Sequence, residues 1–126
     1  MQPVPQDIQV FQGDNYDFFF RVRNAVYNSV TQTYSAGTYV VLTGYTGKAQ
    51  IRATPTATAL LAEFAVIIPD QTLTPGGVLA TLTPVQTAAL PSAGGVWDLQ
   101  LTNGTGEVRT FVAGKVIVTQ EVTRVG

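Results

Sequence analysis

The sequence predicts an all-β fold, an antiparallel β-sandwich with one short helix. Three observations point there. From Trp97 the apolar side chains Trp97, Leu99 and Leu101 alternate with Asp98, Gln100 and Thr102, the period of two that marks a strand with one buried face. Asn103-Gly104, with Gly106 close behind, then supplies residues that tolerate positive φ at a tight reversal. Short apolar stretches of this kind recur along all 126 residues, separated by Gly, Pro, Asn and Asp.

Taken in order, Pro3 and Pro5 hold the first residues extended and unsuited to a central ladder. Residues 1–7 are therefore expected to form an exposed arm, and residues 8–126 a single sandwich domain. Ile8, Val10 and Phe11 make a first short strand, and residues 12–15 a turn. In YDFFFRVR, Tyr16, Phe18, Phe20 and Val22 share the inward face, while Asp17, Phe19, Arg21 and Arg23 point outward. Residues 24–39 are rich in Asn, Ser, Thr, Gln and Tyr, alternate weakly and carry a turn signal at Ser35-Ala36-Gly37. This segment is expected to be an enlarged loop or protruding hairpin. Connections of that length in a small β domain often carry function.

Further on, Val40 to Leu42 regain apolar character, and Ala49 and Ile51 face inward from a strand over residues 48–52. Residues 60–68 are the most apolar stretch and are expected to be one buried strand, with Phe64, Val66 and Ile68 on one face. Val78, Ala80 and Leu82 form another inward set. Thr83-Pro84-Val85-Gln86 has the form of a capping box with Pro at the first helical position, so a short helix runs from Pro84 to Leu90 before Pro91 stops it. After the reversal at Asn103, residues 108–113 return as a strand. Gly114 is expected to break or bulge the ladder, and Val116 to begin a further strand lasting to about Thr123. Short antiparallel strands, frequent turns and one helical turn within about a hundred residues suit an immunoglobulin-like sandwich.

Composition narrows the function classes. Charged residues make up 12% of the chain and the net charge is −1, against about 25% charged in an average soluble domain. Either a Thr- and Gln-rich surface keeps such a chain wettable, or neighbouring subunits cover much of it. With no Cys and no His, disulfides, thiol nucleophiles, the usual zinc sites and the commonest neutral-pH acid/base are excluded. The start, MQPVPQD, has no basic and apolar signal pattern. The apolar run at residues 60–68 contains Glu63 and is short of the ~20 residues that span a bilayer, so a soluble protein without a membrane partner is expected. No basic stripe marks a nucleic-acid footprint.

No catalytic or cofactor-binding pattern emerges. Gly47-Lys48 would need Gly at the place of Leu42 and Ser or Thr at the place of Ala49 to form a phosphate-binding loop. The eight carboxylates, Asp7, Asp14, Asp17, Glu63, Asp70, Asp98, Glu107 and Glu121, fall on different turns and faces. Gly13-Asp14-Asn15-Tyr16-Asp17 lacks the spacing of a calcium loop and reads as an ordinary turn. No enzyme, cofactor or metal is expected. The interface candidates are Pro3 and Pro5 in the arm, Phe19, Arg21 and Arg23 on the outward side of their strand, and Tyr27, Tyr34 and Tyr39, whose amphipathic rings offer contact area.

Five motifs in order carry a resemblance: GDNYDFFFRVR at 13–23, LTGYTGKAQIR at 42–52, ATLTPVQTAALP at 80–91, WDLQLTNGTGEVRTFVAG at 97–114 and KVIVTQEVTR at 115–124. Together the chain resembles the immunoglobulin-like modules that open baseplate upper proteins and tail-fibre proteins of tailed bacteriophages. The resemblance implies a virion structural protein, an adaptor or fibre-attachment module of the tail or baseplate. Its partners would be other phage structural proteins and further copies of itself. In that family a longer fibre follows the module, whereas here the sequence stops at Gly126, which favours a small adaptor, collar or decoration subunit. A capsid decoration protein is the alternative. A carbohydrate-binding module using Trp97 or the tyrosines as stacking platforms ranks below both, because Trp97 alternates with Leu99 and Leu101.

Overall fold

A computed structural model describes residues 4–120 and residue 122. The chain forms two packed sheets and a separate hairpin. The longest strands, β10 (Gly95–Thr102) and β11 (Val108–Thr119), build the centre of the larger sheet. β10 is flanked on its other side by β6 (Thr46–Arg52), which carries β7 (Ala62–Glu63) at its edge. Along the far side of β11 lie β1 (Val4–Pro5) and β2 (Ile8–Phe11), both parallel to it. The smaller sheet has the order β3 (Tyr16–Arg21), β9 (Gly77–Leu82), β8 (Ala65–Ile67). The hairpin pairs β4 (Arg23–Asn28) with β5 (Thr33–Tyr39).

The alternating faces meet between the sheets. Trp97, Leu99 and Leu101 from β10, Ala49 and Ile51 from β6, and Val78, Ala80 and Leu82 from β9 are all buried there. Each large aliphatic side chain withdrawn from water contributes about 1.5–3 kcal/mol. Trp97 sits edge-on to Phe18 at 5.3 Å between ring centroids and 5.5 Å from Phe64. In immunoglobulin lettering β3, β9 and β8 take the places of B, E and D, and β6, β10 and β11 those of C, F and G. β7 takes the extra C′ place. The architecture is an all-β, immunoglobulin-like sandwich.

Helix α1 (Pro84–Ala88) links β9 to the turn before β10 and has the expected cap. The Thr83 hydroxyl accepts from Gln86 N, while Gln86 Oε1 accepts from Thr83 N. The buried Thr87 hydroxyl accepts from Gly13 N at 3.0 Å and donates to Asp14 O at 2.8 Å, tying the helix to the turn ahead of β3. Gln71 likewise ties separate segments together. Its Oε1 accepts from Leu42 N and Gly76 N, and its Nε2 donates to Pro69 O and Gly77 O.

Several expectations are corrected by tertiary context. The apolar run at residues 60–68 is not one strand. β7 pairs with β6 in one sheet and β8 pairs with β9 in the other, so the chain crosses between layers at the buried Phe64. Gly114 does not break β11, because the ladder continues through it with Trp97 opposite. The irregularity falls between Leu99 and Gln100, where Phe111 is the extra residue on β11. β11 ends at Thr119; residues 121 and 123–126 lie outside the described residues, and so does part of the expected terminal strand. Ser35-Ala36-Gly37 lies inside β5, and the turn falls at residues 29–32, where Asn28 Oδ1 accepts from Val30 N and Gln32 adopts φ 56°. At the reversal after β10, Gly106 takes positive φ, while Asn103 acts through its side chain, accepting from Thr105 N and Glu107 N.

The first strands also differ from the expected all-antiparallel pairing. Val4 and Pro5 lie exposed beside Val112 and Ala113, at an edge where proline's missing donor costs nothing in the ladder. Gln6 N donates to Ala113 O at 2.9 Å, and Gln6 O accepts from Trp97 Nε1 at 2.8 Å. The described part of the arm is thus laid against its own domain.

Candidate functional site

Five of the interface candidates gather on and around the hairpin. β4 and β5 pair only with each other among the described residues, and apart from Ala25, whose side chain is not described, most of their side chains are exposed. A lone two-stranded ribbon is at best marginally stable, so this one depends on its root. There Val40 N donates to Val22 O at 2.9 Å and Arg23 Nε donates to Gly37 O at 2.8 Å.

Tyr39 organises the root electrostatically. The Arg21 guanidinium carbon lies 3.5 Å from the Tyr39 ring centroid and that of Arg23 lies 4.7 Å away, both within the range of a cation–π contact. Arg21 Nε also donates to Pro75 O at 3.0 Å. These contacts hold both side chains by the guanidinium face and the Nε atom. Neither arginine forms an ion pair among the described residues, where the two salt bridges are Lys48–Glu63 and Arg109–Glu107.

Tyr27 and Tyr34 stand directly opposite each other further along the ribbon, with ring centroids 4.9 Å apart. Tyr34 is 73% exposed, and Val26, on the other face of the ribbon by alternation, and Val30 in the turn add exposed apolar surface. Phe19 is placed elsewhere, on the outer face of the smaller sheet and 49% exposed. The register aligns it with Leu79 and, beyond that, Ile67, so an apolar row crosses all three strands on the solvent side. Ile67 and Leu79 were not among the sequence candidates. The inward placement of Val66 and Ile68 was their signal, since it sends Ile67 outward. Pro5 lies in β1, and Pro3 falls outside the described residues.

The outer face of the larger sheet is polar. Lys48, Gln50 and Arg52 of β6 stand beside Asp98 and Gln100 of β10, with Lys115 of β11 beyond, lining a shallow concavity of about 640 Å³. Gln50 Nε2 donates to Glu63 Oε2, and Arg52 donates to Gln50 Oε1 and Thr58 O. Burial pushes the Asp98 carboxyl above its ordinary value, and the Arg52 guanidinium pulls it part of the way back. Among the described residues no group of three or more His, Cys, Asp or Glu converges as metal ligands would. Trp97, a possible sugar platform in the sequence, is 3% exposed and inside the core, so its ring is closed to any ligand.

Comparison with known proteins adds a distant likeness in shape. No family model and no curated protein matches the chain. Among solved structures, the titin domains Z1Z2 in complex with telethonin align at 18% identity and a TM-score of 0.44 over 95% of this chain. The chain spans 46% of that titin chain.

Proposed function

We propose that this protein is a structural component of a tailed-bacteriophage particle, an adaptor or fibre-attachment module of the tail or baseplate that works by surface contact and not by catalysis. The observation that carries the reading is the β4–β5 hairpin. It buries almost nothing within its own domain, yet it displays Tyr27, Tyr34, Val26 and Val30 to solvent. Tyrosines on such a projection offer large, rigid area at low entropic cost.

The five ordered motifs supply the phage assignment, and the low charge content fits a surface covered in an assembly. The row Phe19, Leu79, Ile67 gives a second apolar patch, on the solvent face of the smaller sheet, which fits a subunit contacting more than one neighbour. Mass spectrometry of particles purified from a host producing this chain tests the reading. Stoichiometric amounts in the particle are expected. Absence from the particle, together with a monomer at high protein concentration, overturns it.

A further inference from the structure

We propose that the open side of the sandwich next to the hairpin is a docking cleft for an extended acidic segment of a partner protein, which adds to the edge of β3 and sets a carboxylate between Arg21 and Arg23. Three independent features meet there. The first is a cleft of about 260 Å³ between the two sheets, walled by Phe18, Phe20 and Val22 on one side and Val4, Phe111 and Val112 on the other. Its lining is mainly apolar, which suits alternate side chains of an extended chain.

The second is an unpaired strand edge. β9 is the only strand beside β3 among the described residues. Val22 N donates to Gly76 O across the continuation of that ladder, so by alternation the main-chain groups of Asp17, Phe19 and Arg21 face away from β9. An added strand takes its affinity from such groups and its specificity from pockets for every second side chain.

The third is charge. Arg21 and Arg23 line the same cleft and are held on the Tyr39 ring with no carboxylate partner among the described residues. Both guanidinium carbons lie close to one ring centroid, at 3.5 and 4.7 Å, so two positive charges are concentrated at this end of the cleft. A guanidinium already fixed by stacking and by its Nε loses little freedom on binding, and its remaining N–H groups match a carboxylate fork. Free phosphate or a sulfated sugar would use the arginines alone. The apolar cleft and the open edge favour a peptide.

This deepens the contact reading above but needs no particle to test, so its failure is distinguishable from failure of the virion assignment. A display library of random dodecapeptides is selected on the full chain, and recovered peptides are synthesised with Asp or Glu replaced by Asn or Gln. Enriched peptides are expected to alternate apolar residues and carry an acid. The amide replacement and the Arg21→Gln/Arg23→Gln variant should each weaken binding at least about tenfold, as loss of a charge pair at an interface does. Arg21→Lys/Arg23→Lys should fall between, because it keeps the charge and loses the fork. Amide chemical-shift changes are expected at Asp17, Phe19 and Arg21, and an unchanged pattern at β10 in the Gln variant shows that it is folded. Failure to enrich, peptides without an acid, equal binding to the Gln variant, or displacement by inorganic phosphate at equal concentration would each overturn the proposal. So would a self-associated state that already occupies the cleft with a second copy.

Discussion

Gly114→Ala is the sharpest probe of how the N-terminal strands are fastened. A methyl group built at Gly114 meets the Gln6 carbonyl group, with its carbon at 2.5 Å and Asp7 Oδ1 at 2.9 Å. Those atoms are backbone and a short side chain already engaged, so the N-terminal segment must move off β11. Leaving would break three hydrogen bonds: Gln6 N to Ala113 O, Trp97 Nε1 to Gln6 O, and Lys115 N to Asp7 Oδ1. Each contributes about 0.5–1.5 kcal/mol net, and the indole N–H, if left dry, adds the cost of an unmade bond, for a loss of about 2–4 kcal/mol. Urea unfolding followed by Trp97 fluorescence reads this directly, because the only tryptophan reports on the bond being lost. Gly104→Ala is the control, since nothing lies within 4 Å of its added methyl, and a change within about 0.5 kcal/mol is expected. Equal stability of Gly114→Ala and wild type would refute the packing of residues 4–7 across β11.

Other consequences follow from single side chains. Gln71→Leu strips Leu42 N and Gly76 N of their shared acceptor and should cost about 2–4 kcal/mol in chemical denaturation, since two main-chain donors lose their partner at a buried site. The raised Asp98 carboxyl means that the folded state holds this proton more tightly than the unfolded chain does. The contribution of Asp98 to stability is therefore full below about pH 4, the unfolded value, and is lost as pH rises through the raised folded value. Asp98→Asn should remove that slope in thermal melts across the acid range. Tyr27→Ser/Tyr34→Ser should change global stability by less than about 1 kcal/mol, because an exposed cross-strand pair contributes only that much. The same variant should abolish assembly into particles, as scored by particle mass spectrometry.

Most of the sandwich was legible wherever one face of a strand is buried and the other is wet. Trp97 to Thr102, Val78 to Leu82 and Lys48 to Arg52 each state their inward face in the spacing of apolar residues, and the Thr83 to Gln86 capping box is local by nature. The failures share one cause, pairing between distant segments. Residues 60–68 look like one strand because Ala62, Phe64 and Val66 keep the period while the chain changes sheets at Phe64. Gly114 has the same appearance whether it interrupts a ladder or makes room for another strand, and only the position of Gln6, more than a hundred residues away, decides between them.

The candidate site was legible as composition more than as geometry. Tyr27, Tyr34 and Tyr39 stood out in a polar segment, and Arg21 and Arg23 by falling on the outward face of their strand. The stacking of both arginines on Tyr39 depends on a hairpin whose turn lies elsewhere than the small residues suggested, since Ser35-Ala36-Gly37 run into a bulge of β5 itself, where Gly37 and Thr38 oppose the single residue Asn24. Ile67 and Leu79 escaped notice because both sit inside apolar stretches, where only the alternation with inward neighbours such as Val66 and Ile68 marks them as outward.

Cryo-microscopy of the assembled particle tests the central claim most directly. The account predicts density for this sandwich at the tail or baseplate, repeated by symmetry, with the β4–β5 hairpin pressed against a neighbouring subunit. Density on the capsid lattice, or particles with no copy of the chain, would contradict it.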